Sequence, residues 1–170
     1  MLKLYPVTVK DKEAVLAYKE EFLQHGDSMD GTSMLKDADS FESWYEDLQK
    51  NSSEETVAEG WVPASLFLAK DEGKLVGMID IRHRFNDFLA EYGGHIGYSV
   101  RAGERRKGYA TKMLALGLEE CRKLGIEKVL ITCLKDNIGS ARVIENNGGV
   151  FERETSTGTE TLKRYWIELK

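Results

Sequence analysis

Residues 96–125, IGYSVRAGERRKGYATKMLALGLEECRKLG, decide how the rest of the chain is read. The first residues belong to a β-rich run, His95 to Arg101. Apolar residues at Ala110, Met113, Leu114, Leu118 and Cys121 then follow helical spacing over Tyr109 to Leu124. Gly125 can end that helix as a left-handed cap. Between strand and helix lies a basic, glycine-bearing loop. Such a loop aims several backbone N–H groups at one point, and the helix N-terminus adds partial positive charge, so phosphate or pyrophosphate is its natural ligand. Gly108 suits this role because a side chain there would hold the backbone away from phosphate oxygens. Arg105, Arg106 and Lys107 supply long-range attraction, with room for one direct contact. Neither the Lys-Ser/Thr spacing of a Walker loop nor the GxGxxG of a dinucleotide fold is present. An ordinary strand-to-helix turn with solvated basic residues would carry the same letters.

Working outward, Ala64–Ala69 and Lys74–Arg82 are β-rich runs separated by the turn residues Asp71, Glu72 and Gly73. Lys128–Leu134 (KVLITCL) is apolar on both faces, as a central strand is. Asn137–Asn147 reads as a short helix closed by Gly148 and Gly149. Gly149–Glu152 and Thr161–Leu169 read as strands around a polar hairpin. Toward the N-terminus, Leu2–Val9 alternates as a half-buried strand. A helix follows from Asp11, with Ala14, Val15, Tyr18, Phe22 and Leu23 at helical spacing. His25–Ser40 is a long polar loop, Phe41–Gln49 a second short helix, and 51–60 another loop. Loops of this length in a compact domain are functional or mobile. The order β-α-α-β-β-β-α-β-α-β-β predicts an α/β (α+β) fold, one domain over residues 1–170, with a mixed sheet flanked by helices on both faces.

Composition narrows the function. With 41% hydrophobic residues and 2 prolines, the 170-residue chain can bury a real core. Its 29 acidic and 24 basic residues give a net charge of -5, which argues against a duplex nucleic-acid partner. No apolar run approaches the ~20 residues of a membrane span, and the start lacks a signal-peptide core, so a cytoplasmic protein without a membrane partner is expected. Cys121 and Cys133 lack metal-ligand spacing and read as reduced core thiols. Charge is uneven: residues 10–60 hold 14 acidic and 5 basic residues, while Arg101–Lys107 sets four cations against Glu104 alone. An acidic lobe beside a basic loop suits a site that joins an anionic ligand to a cationic one, although two solvated faces would look the same.

The run Arg105-Arg106-Lys107-Gly108-Tyr109-Ala110 resembles the R/Q-x-x-G-x-G/A signature of the GNAT superfamily of acyl-CoA-dependent N-acetyltransferases. The inferred order of elements is similar to that fold over nearly the whole chain. Downstream, Asn137, Ser140, Ala141 and Gly148 match the family's N-x-x-A/S…G pattern. Residues 77–110 look like a group of bacterial GNAT proteins for which no substrate follows. The resemblance implies a mostly antiparallel central sheet and acetyl-CoA as acyl donor, without a metal. It implies that the amides of Arg106, Lys107, Gly108, Tyr109, Ala110 and Thr111 bind the CoA pyrophosphate. Tyr98, Ser99 and Val100 would pair with the pantetheine arm like an added strand, and one of their N–H groups could polarise the thioester carbonyl. Asn137 would bond the arm or simply cap a helix, and Ser140 would let the arm pass. A homodimer also fits the family. Three departures stand out: Ile144 where relatives often have a tyrosine to protonate the thiolate, Ala102 for a proline, and Gly149 for an aromatic.

Acetyl transfer needs a neutral amine, so a base or a water relay must take a proton from the ammonium. His95, just before the cofactor strand, has an ordinary pKa suited to that task, unless it is a structural histidine. His83 lies in a basic run with Arg82 and Arg84, as a base or as an ion-paired surface residue. Asp80 is another candidate near the centre of the sheet. Tyr98 could replace the missing acid or be buried in the core, and Tyr165 and Trp166 shape the acceptor pocket or pack. The acidic lobe predicts a cationic acceptor, a small-molecule or peptide amine. Two other classes remain open: an acyl-CoA-binding module that has lost catalysis, and a nucleotide-phosphate enzyme.

Overall fold

The computed structural model describes residues 1–169. Its strands are β1 (Leu2–Pro6), β2 (Ala64–Asp71), β3 (Lys74–Arg82), β4 (Ile96–Val100), β5 (Lys128–Leu134), β6 (Val150–Ser156) and β7 (Thr161–Glu168). Its helices are α1 (Lys12–His25), α2 (Phe41–Lys50), α3 (Tyr109–Lys123) and α4 (Ile138–Asn146). Local chemistry sets their ends. Thr8 and Asp11 form a reciprocal capping box ahead of α1, and Gly26 closes that helix at φ +70°. The Ser40 hydroxyl accepts the Ser43 N–H (3.0 Å) at the start of α2.

The strands form two antiparallel sheets, in the orders β1-β2-β3-β4 and β5-β7-β6. A single mixed sheet was the expectation, yet no ladder joins β4 to β5 among the described residues. The sheets meet just before β4, where His95 N–H donates to Leu130 C=O (2.8 Å). Beside it Gly94 sits at φ +69°, so close to Leu130 that a Cβ would come within 2.6 Å of its carbonyl oxygen. Beyond that point the strands separate. Sequence period shows which run is a strand; the missing ladder depends on this long-range contact.

Each face of the larger sheet carries its own core. Leu66 and Leu68 of β2 face Val15, Tyr18, Phe22, Phe41 and Trp44 of α1 and α2, while Phe67 and Ala69 face Met113, Leu114 and Leu118 of α3 and Ile144 of α4. Each large apolar side chain buried there contributes ~1.5–3 kcal/mol. Trp44 also donates its indole N–H to Thr32 C=O (2.8 Å), tying the α1–α2 loop to the second helix. That loop runs on to β4, where a Cβ on Gly31 would lie 2.3 Å from the Gly97 oxygen. Backbone lies on backbone there, and only glycine allows it.

Candidate functional site

The break between the sheets leaves β4 with one unpaired edge. On its other edge Arg82 N–H donates to His95 C=O (2.7 Å) and Arg101 N–H to Val76 C=O (2.9 Å). Bonded pairs recur at every second residue of an antiparallel ladder, so Gly97 and Ser99 also turn their main-chain groups to β3. Those of Ile96, Tyr98 and Val100 therefore point into the gap toward β5. The Val100 carbonyl there is taken by Arg105 Nε (2.9 Å), which leaves Tyr98 N–H, Tyr98 C=O and Val100 N–H open. Around this edge lies a cleft of about 960 Å³.

One end of the cleft is the loop before α3. Gly108 adopts φ +84° and Arg106 φ +63°, and no side chain caps the helix. Among the described residues no acceptor takes the amide hydrogens of Arg106, Lys107, Gly108, Tyr109, Ala110 or Thr111; the first such bond runs from Lys112 N–H to Gly108 C=O (3.2 Å). Six consecutive free donors at a helix N-terminus can receive an anion such as a phosphate. Gly108 would meet nothing within 4 Å if given a Cβ, so within the protein its conformation, not space, calls for glycine.

The three basic residues of this loop do different things. Arg105 is committed to Val100 C=O and to Asp27 (3.0 Å) and lies over the Phe22 ring, which braces the loop against α1. Lys107 pairs with the buried Glu104 (3.0 Å), which also binds Lys74. Arg106 lines the cleft without a carboxylate partner among the described residues, as does Arg142 of α4.

Tyr98 and Ser140 meet across the cleft with hydroxyls 2.7 Å apart. Burial pushes the Tyr98 phenol up to about 12, against a smaller opposing effect of that bond. Asn137 caps α4, its Oδ1 accepting Ser140 N–H (3.0 Å), while its Nδ2 has no protein partner and the residue lines the cleft. Both readings of Asn137 can therefore hold at once. Ile144 is wholly buried in the core, and a Cβ on Gly149 would come within 2.4 Å of its side chain. The two unusual residues thus pack together. Ser99 lines the cleft but turns its main chain to β3, and its hydroxyl meets that of the buried Tyr18 (2.9 Å).

The histidines do not support the base role expected of them. His95 Nδ1 accepts Leu130 N–H (2.9 Å), so the ring proton sits on Nε2 and no lone pair is left to take another. The ring is 6% exposed and packs on Phe85 (4.1 Å between centres). Burial, then Arg82, lowers its pKa to about 4. His83 bonds Ser65 Oγ (2.8 Å), and burial lowers its pKa also. Neither residue lines the cleft. Tyr165 is buried and packs on Phe151 at the edge of the second sheet.

The acidic lobe is also less available than its charge count implies. Asp11 pairs with Lys70, Glu21 with Arg101, Asp27 with Arg105 and Glu54 with Arg84, all cations outside the lobe. Of its carboxylates only Asp27 and Asp30 line the cleft, and Asp30 alone of the two has no cationic partner. Arg82 and the turn residues Tyr92 and Gly93 line the same cleft. Tyr92 and Gly93 carried no sequence expectation as a wall of the site, because their position depends on a long-range bond from Thr132 Oγ1 to Tyr92 C=O (2.6 Å). Among the described residues no group of three or more His, Cys, Asp or Glu side chains could hold a metal ion, and no helix is long and apolar enough to cross a membrane.

Comparison with known proteins agrees with this architecture. No curated protein matches the chain in sequence. Among solved structures, RimJ of Mycobacterium smegmatis in complex with CoA-disulfide superposes with a TM-score of 0.72 at 21% identity, over 98% of this chain and 81% of that one. RimL, a ribosomal L7/L12 alpha-N-protein acetyltransferase in complex with coenzyme A, gives 0.70 at 17% identity, over 99% and 94%. A chimera of spermidine N-acetyltransferase SpeG from Vibrio cholerae and hSSAT gives 0.65 at 15%, over 98% and 94%. These likenesses show the fold. The family model for the acetyltransferase (GNAT) domain matches residues 1–150, and the chain belongs to that family.

Proposed function

We propose that this protein moves an acetyl group from acetyl-CoA to a primary amine, by direct attack within a ternary complex. The row of six free amides from Arg106 to Thr111 carries the reading, because it offers a diphosphate site at one end of a cleft whose wall is an unpaired strand edge. The CoA-bound RimJ and RimL structures of the same fold support the identity of the donor.

Bound acetyl-CoA supplies an activated thioester; the rest is positioning by the chain. The amides of 106–111 and the Arg106 guanidinium hold the diphosphate. Tyr98 C=O and Val100 N–H pair with the pantetheine arm, with Asn137 Nδ2 as a further donor, and Tyr98 N–H is free to polarise the carbonyl. The Tyr98–Ser140 pair has two hydroxyl hydrogens and makes one hydrogen bond, so one hydrogen can turn to the departing sulfur. With a phenol pKa near 12 against a thiol near ~8.5, Tyr98 acts as a hydrogen-bond donor to the thiolate more than as its proton source. Cys133 lines the cleft, but burial raises its pKa and keeps it protonated, which favours direct attack over an acyl-cysteine. Water in the cleft, with Asp30 at its rim, takes the ammonium proton.

A second reading, a CoA-binding module without turnover, draws on the buried Ile144 at the family's tyrosine position. Thiol release from acetyl-CoA with a panel of primary amines separates the two. Release that depends on the amine supports the enzyme. Tight CoA binding with no release for any amine supports the module.

A further inference from the structure

We infer that the acceptor is a zwitterion, an amine that also carries a carboxylate, and that the free arm of the Arg82 guanidinium anchors that carboxylate. This rests on the acetyltransferase reading of the same cleft. Alternation along β3 and β4 places Asp80, Arg82 and Gly97 on the sheet face toward the α1–α2 loop, opposite the face where Tyr98 meets Ser140. The Tyr98 and Ser140 hydroxyls and the Arg82 guanidinium therefore stand on opposite faces of the sheet, as suits a donor and an acceptor that approach from opposite faces.

Arg82 is held firmly but not fully used. Its Nη1 donates to Gly93 C=O (3.1 Å), and its Nε lies beside Asp80 Oδ2 (3.4 Å). Nη2 has no hydrogen-bond partner among the described residues. Among the described residues no buried side-chain polar atom goes unpartnered, so Nη2 keeps some exposure, and Arg82 lines the cleft. It points at Gly97: a Cβ there would lie 3.1 Å from Nη2, 3.2 Å from Gly31 N and 2.9 Å from Asp80 Oδ1. Even one carbon at that position would crowd all three atoms, so a ligand reaches Nη2 from the cleft that Arg82 lines and not through Gly97.

A guanidinium is always charged, and one already fixed by its neighbours loses little freedom when it binds. Its open N–H selects an anionic oxygen, and a carboxylate fits. One residue from Gly31, exposed Asp30 lines the same cleft without a Lys or Arg partner and suits the ammonium end. A purely cationic acceptor, the expectation from charge counting, would meet Arg82 without an anion to offer it.

The test measures binding to the CoA-loaded protein by thermal shift for the twenty common α-amino acids, each compared with its primary amide, which keeps the amine and lacks the carboxylate. At least one amino acid should bind roughly 10- to 100-fold more tightly than its amide. Arg82→Gln should erase that gap with CoA affinity unchanged, whereas Asp30→Asn should weaken acid and amide alike. An amide that binds as well as every acid, or no binding by any amino acid, overturns the proposal; this wild-type comparison stands even if Arg82→Gln fails to fold. Thiol release measured in parallel separates the two readings. Amino acids that bind without releasing thiol would sink the transferase reading and leave the anchor intact. Equal turnover of acid and amide would sink the anchor alone.

Discussion

Acidification isolates His95, and its sign and size follow from the structure. In the fold the ring is neutral, accepts Leu130 N–H on Nδ1, and has its pKa lowered to about 4, by burial first and then by Arg82. In the unfolded chain it titrates near ~6.5. A pKa depressed by folding means that the unfolded chain takes up the proton first. The stability tied to the neutral ring is therefore complete above about pH 6.5 and is lost as pH falls toward 4. Between pH 7.5 and 4.5 the loss is roughly 2 kcal/mol, after some discount for residual solvent at the ring. His95→Asn is the matched variant, because its amide oxygen can still accept Leu130 N–H and does not titrate. Urea unfolding of both proteins at pH 7.5, 6.0 and 4.5 should show the wild type losing about 2 kcal/mol more than the variant, other carboxylates cancelling in the difference. Parallel losses, or an NMR titration of His95 with its midpoint near 6.5, would refute the reasoning. The variant should also keep the wild-type pH–rate profile; a lost limb in that profile would restore His95 as the base.

Three further outcomes are expected. Gly108→Glu should abolish CoA binding in calorimetry, through strain at φ +84° and repulsion of the diphosphate, while circular dichroism stays native; unchanged affinity would mean that the loop is not the cradle. Tyr98→Phe should lower kcat by roughly 10- to 100-fold with little change in CoA affinity, and an unaltered kcat would free the Tyr98–Ser140 pair from any part in thiolate release. Gly31→Ala should destabilise the protein by roughly 2–4 kcal/mol in chemical denaturation, since its Cβ would lie 2.3 Å from Gly97 O at φ +71°, and a cost below 1 kcal/mol would show the contact to be slack.

What was legible in the sequence follows physical range. The limits of β3 and β5 and the start of α3 came from periodicity and from one glycine, which are local signals. The free amides were legible as well, since a helix N-terminus without a capping side chain is written in RRKGYA itself. The role of His95 was not, because its partner is a main-chain N–H 35 residues away that no side-chain pattern encodes. The acidic lobe misled for a related reason. A charge count treats Asp11, Glu21 and Glu54 as a shared field, whereas each is neutralised by a cation from another part of the chain. Arg82, by contrast, sat in a basic run that suggested surface; only the fold of 92–94 beneath it turns it into the cleft.

The break between β4 and β5 ties the proposed function to the fold. An unpaired strand edge inside a protein is costly, because each N–H or C=O shut away from water without a partner forfeits about 1–3 kcal/mol. Here Tyr98 and Val100 keep three such groups open, and both residues line the cleft. An extended amide-bearing arm laid in the gap would satisfy them as a neighbouring strand does, so its binding would complete the structure of the sheet as well as load a substrate. The same logic explains why the gap is held at its apex by backbone contact at Gly94 and Leu130 and bridged on one face by the two hydroxyls of Tyr98 and Ser140. A wider opening would lose both walls of the arm, and a closed ladder would leave it no edge.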